Sequence, residues 1–590
     1  MSLSVLQTLS AHLGAAFAAM DLPGEYGRVT ESDKSAPFQC NGALAAAKLA
    51  KKSPRDIADF VVEQLSGNPD IAVAEIAGPG FINLTPSDAL VKRRVKELAA
   101  DGRIGVRDAE KCATIVVDYG GANVAKPMHV GHLRSAVIGE SLKRILRARG
   151  HKVIGDVHLG DWGLQMGHLI SELQEEQPDL PYFEAAIIDG FPKDSPVTMD
   201  DMARLYPQAS AKSKSDPGRL KKSQLATAEL QAGRPGYRAL LDHFIRISIE
   251  YLKQGYGDLG VEFDLWKGEA SVDPLIPGMI DAMKAQGITE ESDGALIIPV
   301  DENYDEEKRK GIPPVMLRAR TGAVLYHTTD LATLLDRKTE IDPDYVLYVV
   351  DQRQATHFEQ VFRAAVKAGW YKREQLEHLG FGTVNGKDGK PFTTRAGGVL
   401  KLSDLTKMMR EAAAKRLEKS GIGQDFGAAE QTDIANKIGM AALKFADLQN
   451  QRTTNYIFDI DRFVSFEGKT GPYLLYAAVR IKSLLRKAKD KGVEPGDILP
   501  LEKAEQNLVL MLDSFNRALA AAEAKRMPHI LCDHVYTLAQ AFSKFYADCP
   551  VLANEVPDEI KSSRLALAAL TLKQLEAGLT LLGIETPERM

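Results

Sequence analysis

The chain has 590 residues, 44% of them hydrophobic and 26% charged, with a formal net charge of −6. At about 150 residues per domain this length predicts roughly three to five domains that need no staples, and the apolar fraction excludes a largely disordered chain. Cys40, Cys112, Cys532 and Cys549 include no C-x-x-C pair, which argues for a reducing compartment and against a zinc ribbon, and the acidic balance taken alone favours a metabolic enzyme over a nucleic-acid binder.

The opening residues read as an amphipathic helix: Leu3, Leu6, Leu9, Leu13 and Phe17 recur at helical spacing, and no Lys or Arg precedes Arg28 to start a secretory signal. No apolar run is long enough to cross a bilayer, so a cytoplasmic protein without a membrane partner is expected. Residues 1–107 read as a small α+β unit, with strands IAVAEIA and FINLT around Gly78-Pro79-Gly80 and a closing basic helix. From residue 108 the texture is α/β. TIVVDY is a β-rich run, GGANVAKPM a loop, HLRSAVIGESLKRILRARG a helix stopped by Gly150, and HKVIGDVH the next strand. That βαβ unit predicts a parallel sheet with its ligand at the strand ends. Residues 175–320 read as an insertion between two halves of the sheet and include the basic segment 211–224. The α/β pattern resumes at AVLYHTTDLATLLDR and DYVLYVVDQRQATHFEQVF, runs to 402, and gives way to helices over 403–590.

His129-Val130-Gly131-His132 follows a strand and loop and opens the helix. Residues three apart share a helical face, so both imidazoles can reach one group, and the helix N-terminus adds N–H donors for an anion. Gly131 would let a phosphate approach the backbone. The pattern suits a triphosphate whose charge is stabilised during nucleotidyl transfer. No nearby Cys or carboxylate completes a metal ligand set, and neither Walker A nor G-x-G-x-x-G occupies this turn.

YGGANVAKPMHVGHLRSAVIGE resembles the ATP-binding signature of class I aminoacyl-tRNA synthetases, in the form typical of arginyl-tRNA synthetases. LGDWGLQMG (159–167), LYHTTDLATLLDR (325–337), NGKDGKPFTTRAGG (385–398), GPYLLYAAVRI (471–481) and LLGIETPERM agree, in family order and across nearly the whole chain. The resemblance implies an α/β fold in three parts. These are a small α+β N-terminal domain (1–107) that contacts the tRNA elbow, a Rossmann-type parallel-sheet catalytic domain (108–402) with the insertion, and an all-α anticodon-binding domain (403–590). It implies arginine activation by ATP, with Mg2+, to arginyl-adenylate and pyrophosphate, then transfer of arginine to the 3′ end of its tRNA. Family enzymes need bound tRNA for the first step and are usually monomeric.

Residue roles follow from the same resemblance. His129, His132 and Lys126 are the catalytic groups, within an ATP-binding loop of Ala122, Asn123, Val124, Ala125, Lys126, Pro127, Met128, His129, Val130, Gly131 and His132. The second class I signature is degenerate here: Thr394 and Arg395 fall nearest its end and complete the ATP-binding set, while Thr393 stands where many arginyl enzymes have Lys. Tyr326, Asp330 and Glu269 match the pocket for the arginine side chain, although Ala270 replaces the usual Ser beside Glu269. Asn123 and Gln354 match positions that hold the α-amino group, and Asp118 is a nearby carboxylate counted with them. A guanidinium presents a planar fork that two carboxylates fill and the point charge of lysine does not. Phe81 and Asn83 match the tRNA-elbow contact. Tyr473, Tyr476 and Arg480 form one helical stripe on which anticodon bases can stack, continued by the basic run to Lys491.

Rival readings fare worse. A cysteine enzyme would carry zinc-binding Cys and His, and an aliphatic pocket has no use for Asp330 and Glu269. A small cytidylyltransferase leaves the helical third unexplained, and a non-catalytic tRNA-binding paralogue is opposed by His129, His132 and Lys126.

Overall fold

The computed structural model describes residues 3–32, 36–304, 310–320, 322–390, 392 and 400–590. Its centre is a five-stranded parallel sheet, ordered Leu376–His378, Tyr345–Tyr348, Thr114–Asp118, Lys152–Leu159, Leu265–Gly268. The middle strand, TIVVD, is apolar at successive positions because both its faces are covered. Ile115 and Val117 enter one core with Leu133 and Ile138 of the helix Val130–Ala148, called here the signature helix. Val116 enters the opposite core with Leu331 of the helix Tyr326–Glu340, the pocket helix, and Val361 of the helix Ala355–Lys367. After Thr114–Asp118 the chain first builds outward on one side, and only later adds Tyr345–Tyr348 on the other. The strand order reverses there, so the crevice between the carboxyl ends of these two strands is where a ligand belongs.

The expected insertion over 175–320 is not one block. Three helices, Met199–Ser215, Pro217–Gln231 and Pro235–Asp258, leave the sheet first. The chain then returns as the edge strand Leu265–Gly268, paired in parallel with Lys152–Leu159. A second departure forms the small antiparallel sheet of Glu290–Ser292, Ala295–Ile298 and Val315–Arg318. Four residues, LWKG, are too few to show a strand period, which is why the return was hidden in the sequence.

The N-terminal part is a separate body with its own core. Its antiparallel sheet runs Val29–Glu31, Phe38–Cys40, Phe81–Pro86, Ile71–Ala77, packed by the helices Val5–Ala18 and Pro54–Gln64. Ser4 caps the first helix in a reciprocal capping box with Gln7. The body docks through Asp513, which accepts the Val5 N–H at 2.7 Å and Arg94 Nε–H at 2.5 Å. Beyond 403 the chain is helical apart from Tyr456–Ile457, which pairs in parallel with Val384–Asn385. The apolar core of the signature-helix face continues without a break into these helices, through Leu474, Leu508 and Phe542. Among the described residues no helix is long and apolar enough to cross a membrane.

Candidate active site and RNA-facing surfaces

His129 caps the signature helix with extended backbone, φ −126° and ψ 171°. Its Nδ1 accepts the Gly131 N–H at 3.1 Å, and His132 Nδ1 accepts the His129 N–H at 3.0 Å. This is a capping box made of two imidazoles, whose ring centroids lie 4.0 Å apart. With Nδ1 accepting, Nε2 carries the proton, so both rings offer an N–H to the site. Burial and the neighbouring His129 push His132 down to about 3, and burial together with Lys126 lowers His129. At neutral pH both are uncharged donors. Gly131 has a different reason from the one its sequence suggests: a Cβ there would lie 2.8 Å from the His129 ring, so glycine makes room for the cap.

The loop ahead of the cap is rigidly held. Ala125 has φ 64°, a left-handed backbone that costs a non-glycine residue about 1–2 kcal/mol. Ser248 Oγ holds it by accepting its N–H at 2.9 Å. Asn123 lies over Gly160, where a Cβ would meet Asn123 Oδ1 at 2.4 Å. Ala122, Val124, Ala125, Met128 and Val130 are buried, so their side chains serve packing, and of the described residues in the expected ATP set only Asn123, Lys126, Pro127, His129, Gly131 and His132 reach the surface. Thr394 and Arg395 lie outside the described residues. The segment just after them is strapped to the loop: the Val130 N–H is accepted by Leu400 O and the Leu402 N–H by Met128 O, which sets exposed Lys401 opposite His129.

Across the crevice is an acidic pocket. The pocket helix starts at Tyr326 and places Asp330 one turn later, while Glu269 follows the edge strand directly. Burial, then the negative charges of Asp330 and Asp161, push Glu269 up to about 8. Burial pushes Asp161 up to about 6, and its carboxylate accepts the Ala270 N–H at 2.8 Å. A Cβ on Gly268 would collide with Asp161 at 2.1 Å, so glycine is required where the strand turns toward Glu269. His357 Nε2 meets Asp330 Oδ2 at 2.5 Å. Tyr326 is 57% exposed at the mouth, stacked on His327 at 4.1 Å and 4.9 Å from the ring of His357. Sequence reasoning missed His357 and Asp161. The only available signal was their presence inside the strings DQRQATHF and LGDWG.

Asp118 does not join this pocket. Arg337, farther along the pocket helix and 1% exposed, spends its guanidinium on Asp118 at 2.6 Å and Asp156 at 2.7 Å. The chain's own arginine thus occupies the carboxylate expected to bind free arginine. Gln354 is exposed just past Tyr345–Tyr348, so it and Asn123 stand at the carboxyl ends of neighbouring strands without touching.

Of the RNA-facing candidates, Phe81 is half-buried and Asn83 only 7% exposed, its Oδ1 accepting a bond from Gln39 at 2.8 Å. Tyr473 packs against Tyr536 at 5.5 Å, Tyr476 is 43% exposed, and Arg480 lies over the Tyr546 ring at 4.4 Å. Tyr536 and Tyr546, on the helix His529–Asp548, extend the stripe and were not foreseen. Some of the basic groups in the segments 211–224 and 480–491 are met by acids remote in sequence. Lys212 and Arg219 both hold Glu172, at 2.5 and 2.6 Å, and Lys482 is buried against Glu576 and Glu588, each at 2.9 Å.

Comparison with known proteins accounts for this arrangement. The family described as tRNA synthetases class I (R), catalytic domain, matches residues 94–460. The DALR anticodon binding domain matches 474–590, and the arginyl tRNA synthetase N terminal domain matches 5–85. An arginine–tRNA ligase of Maricaulis maris is 59% identical over 590 residues, covering 100% of both chains. The chain belongs to the arginyl-tRNA synthetase family. That of Hyphomonas neptunium is 58% identical over 591 residues, again covering 100% of both chains. The crystal structure of arginyl-tRNA synthetase from Plasmodium falciparum shares the fold, with TM-score 0.81 at 24% identity over 100% of this chain and 99% of that one. The Thermus thermophilus enzyme gives 0.78 at 22% identity over 99% and 100%. The activity of this synthetase is arginine–tRNA ligation.

Proposed function

We propose that the crevice carries both steps of that ligation with the residues just described. The observation that supports it best is the facing of two unlike sites: neutral imidazole N–H donors on a helix N-terminus, and an acidic pocket across the switch point. The ATP triphosphate, with its magnesium, lies against His129, His132 and Lys126. The arginine guanidinium takes Asp330 and Glu269 under Tyr326, and its α-amino group meets Asn123 and Gln354. The arginine carboxylate oxygen then attacks the α-phosphorus, and pyrophosphate leaves as the developing charge is met by the His129 and His132 N–H donors. A 3′-terminal ribose hydroxyl of tRNA next attacks the arginyl carbonyl, and AMP departs. Asp118 has no part in binding arginine; it anchors Arg337.

Residues 1–107 serve the tRNA elbow through Phe81 and the sheet face around Asn83, and residues 403–590 take the anticodon on Tyr473, Tyr476 and Arg480. One chain supplies every group invoked, which supports action as a monomer. Four free cysteines support a reducing, cytoplasmic setting. Arginine-dependent ATP–pyrophosphate exchange, with tRNA present, tests the reading. Exchange with arginine and not with lysine is expected, because lysine cannot fill both arms of the fork. Exchange driven by another amino acid would overturn the pocket assignment, and none with any amino acid would favour a binding protein.

A further inference from the structure

The helices that interrupt the sheet have so far no part in the chemistry, yet they bear on one short stretch of the ATP loop. Ser248, on Pro235–Asp258, holds the left-handed Ala125. The methyl of Met128 lies where a Cβ on Gly255 of the same helix would sit, at 2.3 Å. Lys126 stands between these two anchors. Its ammonium lies 4.3 Å from the centroid of Tyr206, which belongs to Met199–Ser215. Among the described residues Lys126 has no carboxylate at ion-pair distance, so the face of this ring is what it meets. The same charge is felt at the capping imidazoles, where it lowers His129 and His132. The ammonium is thus within electrostatic reach of the capping imidazoles while resting on the interrupting helix.

A lysine stem has four rotatable bonds, and a free ammonium at the edge of a site spends most of its time in water. An aromatic face attracts the cation without neutralising it, unlike a carboxylate, and so leaves its charge available to a phosphate. The tyrosine also packs edge-on toward His168, with centroids 6.2 Å apart, and is half-buried against the main core, which restricts its ring.

We propose that Tyr206 is a positioning residue for Lys126: its ring, carried in by the interrupting helices, holds the ammonium at the nucleotide end of the site until the triphosphate takes it. This rests on the reading of Lys126 as a nucleotide-binding lysine.

The test is a double-mutant cycle in the full-length enzyme with tRNA, read as ATP–pyrophosphate exchange at varied ATP and varied arginine. Tyr206→Leu should lower kcat/KM for ATP about tenfold and leave the KM for arginine unchanged. Tyr206→Phe keeps the ring and should restore most of the activity. In a Lys126→Ala background Tyr206→Leu should cost nothing further, because the cation it positions is gone. The same loss in both backgrounds, a parallel rise in the KM for arginine, or a Phe variant as poor as Leu would overturn the proposal. Lys126→Ala with undiminished use of ATP would instead remove the nucleotide reading of Lys126, and this inference with it.

Discussion

The proposed nucleotide end of the crevice is one continuous segment, residues 119–132, whereas the proposed amino-acid end gathers Asp161, Glu269, Asp330 and His357 from separate parts of the chain. In the proposed reading the first meets an anion with neutral N–H donors and Lys126. In the same reading the second meets a cation with clustered acids, of which Glu269 has its charge suppressed by burial and by the negative charges of Asp330 and Asp161. A helix terminus can be specified by neighbours in sequence, since its donors are local. A planar, doubly hydrogen-bonded cation needs acceptors from several directions, and only the sheet and two helices together supply them.

This contrast can be broken at either end. The largest effect is expected from Asp330→Ala, which removes the carboxylate that His357 holds: arginine-dependent exchange should fall by about 10³-fold or more, because the fork loses one arm in a buried site. Binding of tRNA, followed by filter retention or fluorescence, should be unaffected; a comparable loss there would mean that the substitution had unfolded the crevice. His132→Ala should lower kcat by about 10²-fold, as expected for one donor to a developing oxyanion, with the KM for arginine unchanged. A variant that raised the KM for arginine and spared kcat would place His132 in the wrong half.

The smallest effect separates the halves by pH. A Glu269 carboxyl raised to about 8 keeps its proton at neutral pH, and a guanidinium beside it favours its release. The KM for arginine should therefore fall as pH rises toward about 8, by at most about tenfold per unit for one proton, while the KM for ATP stays flat because His132 titrates near 3. Glu269→Gln should flatten the arginine profile; a slope that survives it would assign the proton elsewhere. The linked stabilities run in opposite directions. The raised Glu269 contributes stability at low pH, lost as pH rises through about 8. The lowered His132 contributes stability above the ordinary histidine range, lost as pH falls toward about 3.

Much of the candidate site's secondary structure was legible because it is local. The helix expected after the signature tetrad spans Val130–Ala148, and Tyr326 and Asp330 fall one turn apart on a helix, as i and i+4 positions in LYHTTDLATLLDR require. The errors share one cause. Asp118 looked available until Arg337, 219 residues on, closed over it. Lys212, Arg219 and Lys482 counted as free charge in the basic segments until Glu172, Glu576 and Glu588 met them from elsewhere in the chain. Gly131 looked like a place for phosphate until the His129 ring filled it.

By itself the sequence determined the helix that His129 and His132 open and the βαβ order around it, because helix capping, periodicity and βαβ order act over a few residues. It did not determine which charges stay free. That was decided only by the tertiary structure, since electrostatic pairing depends on distance in space, and a buried arginine or glutamate takes whichever partner the fold brings near.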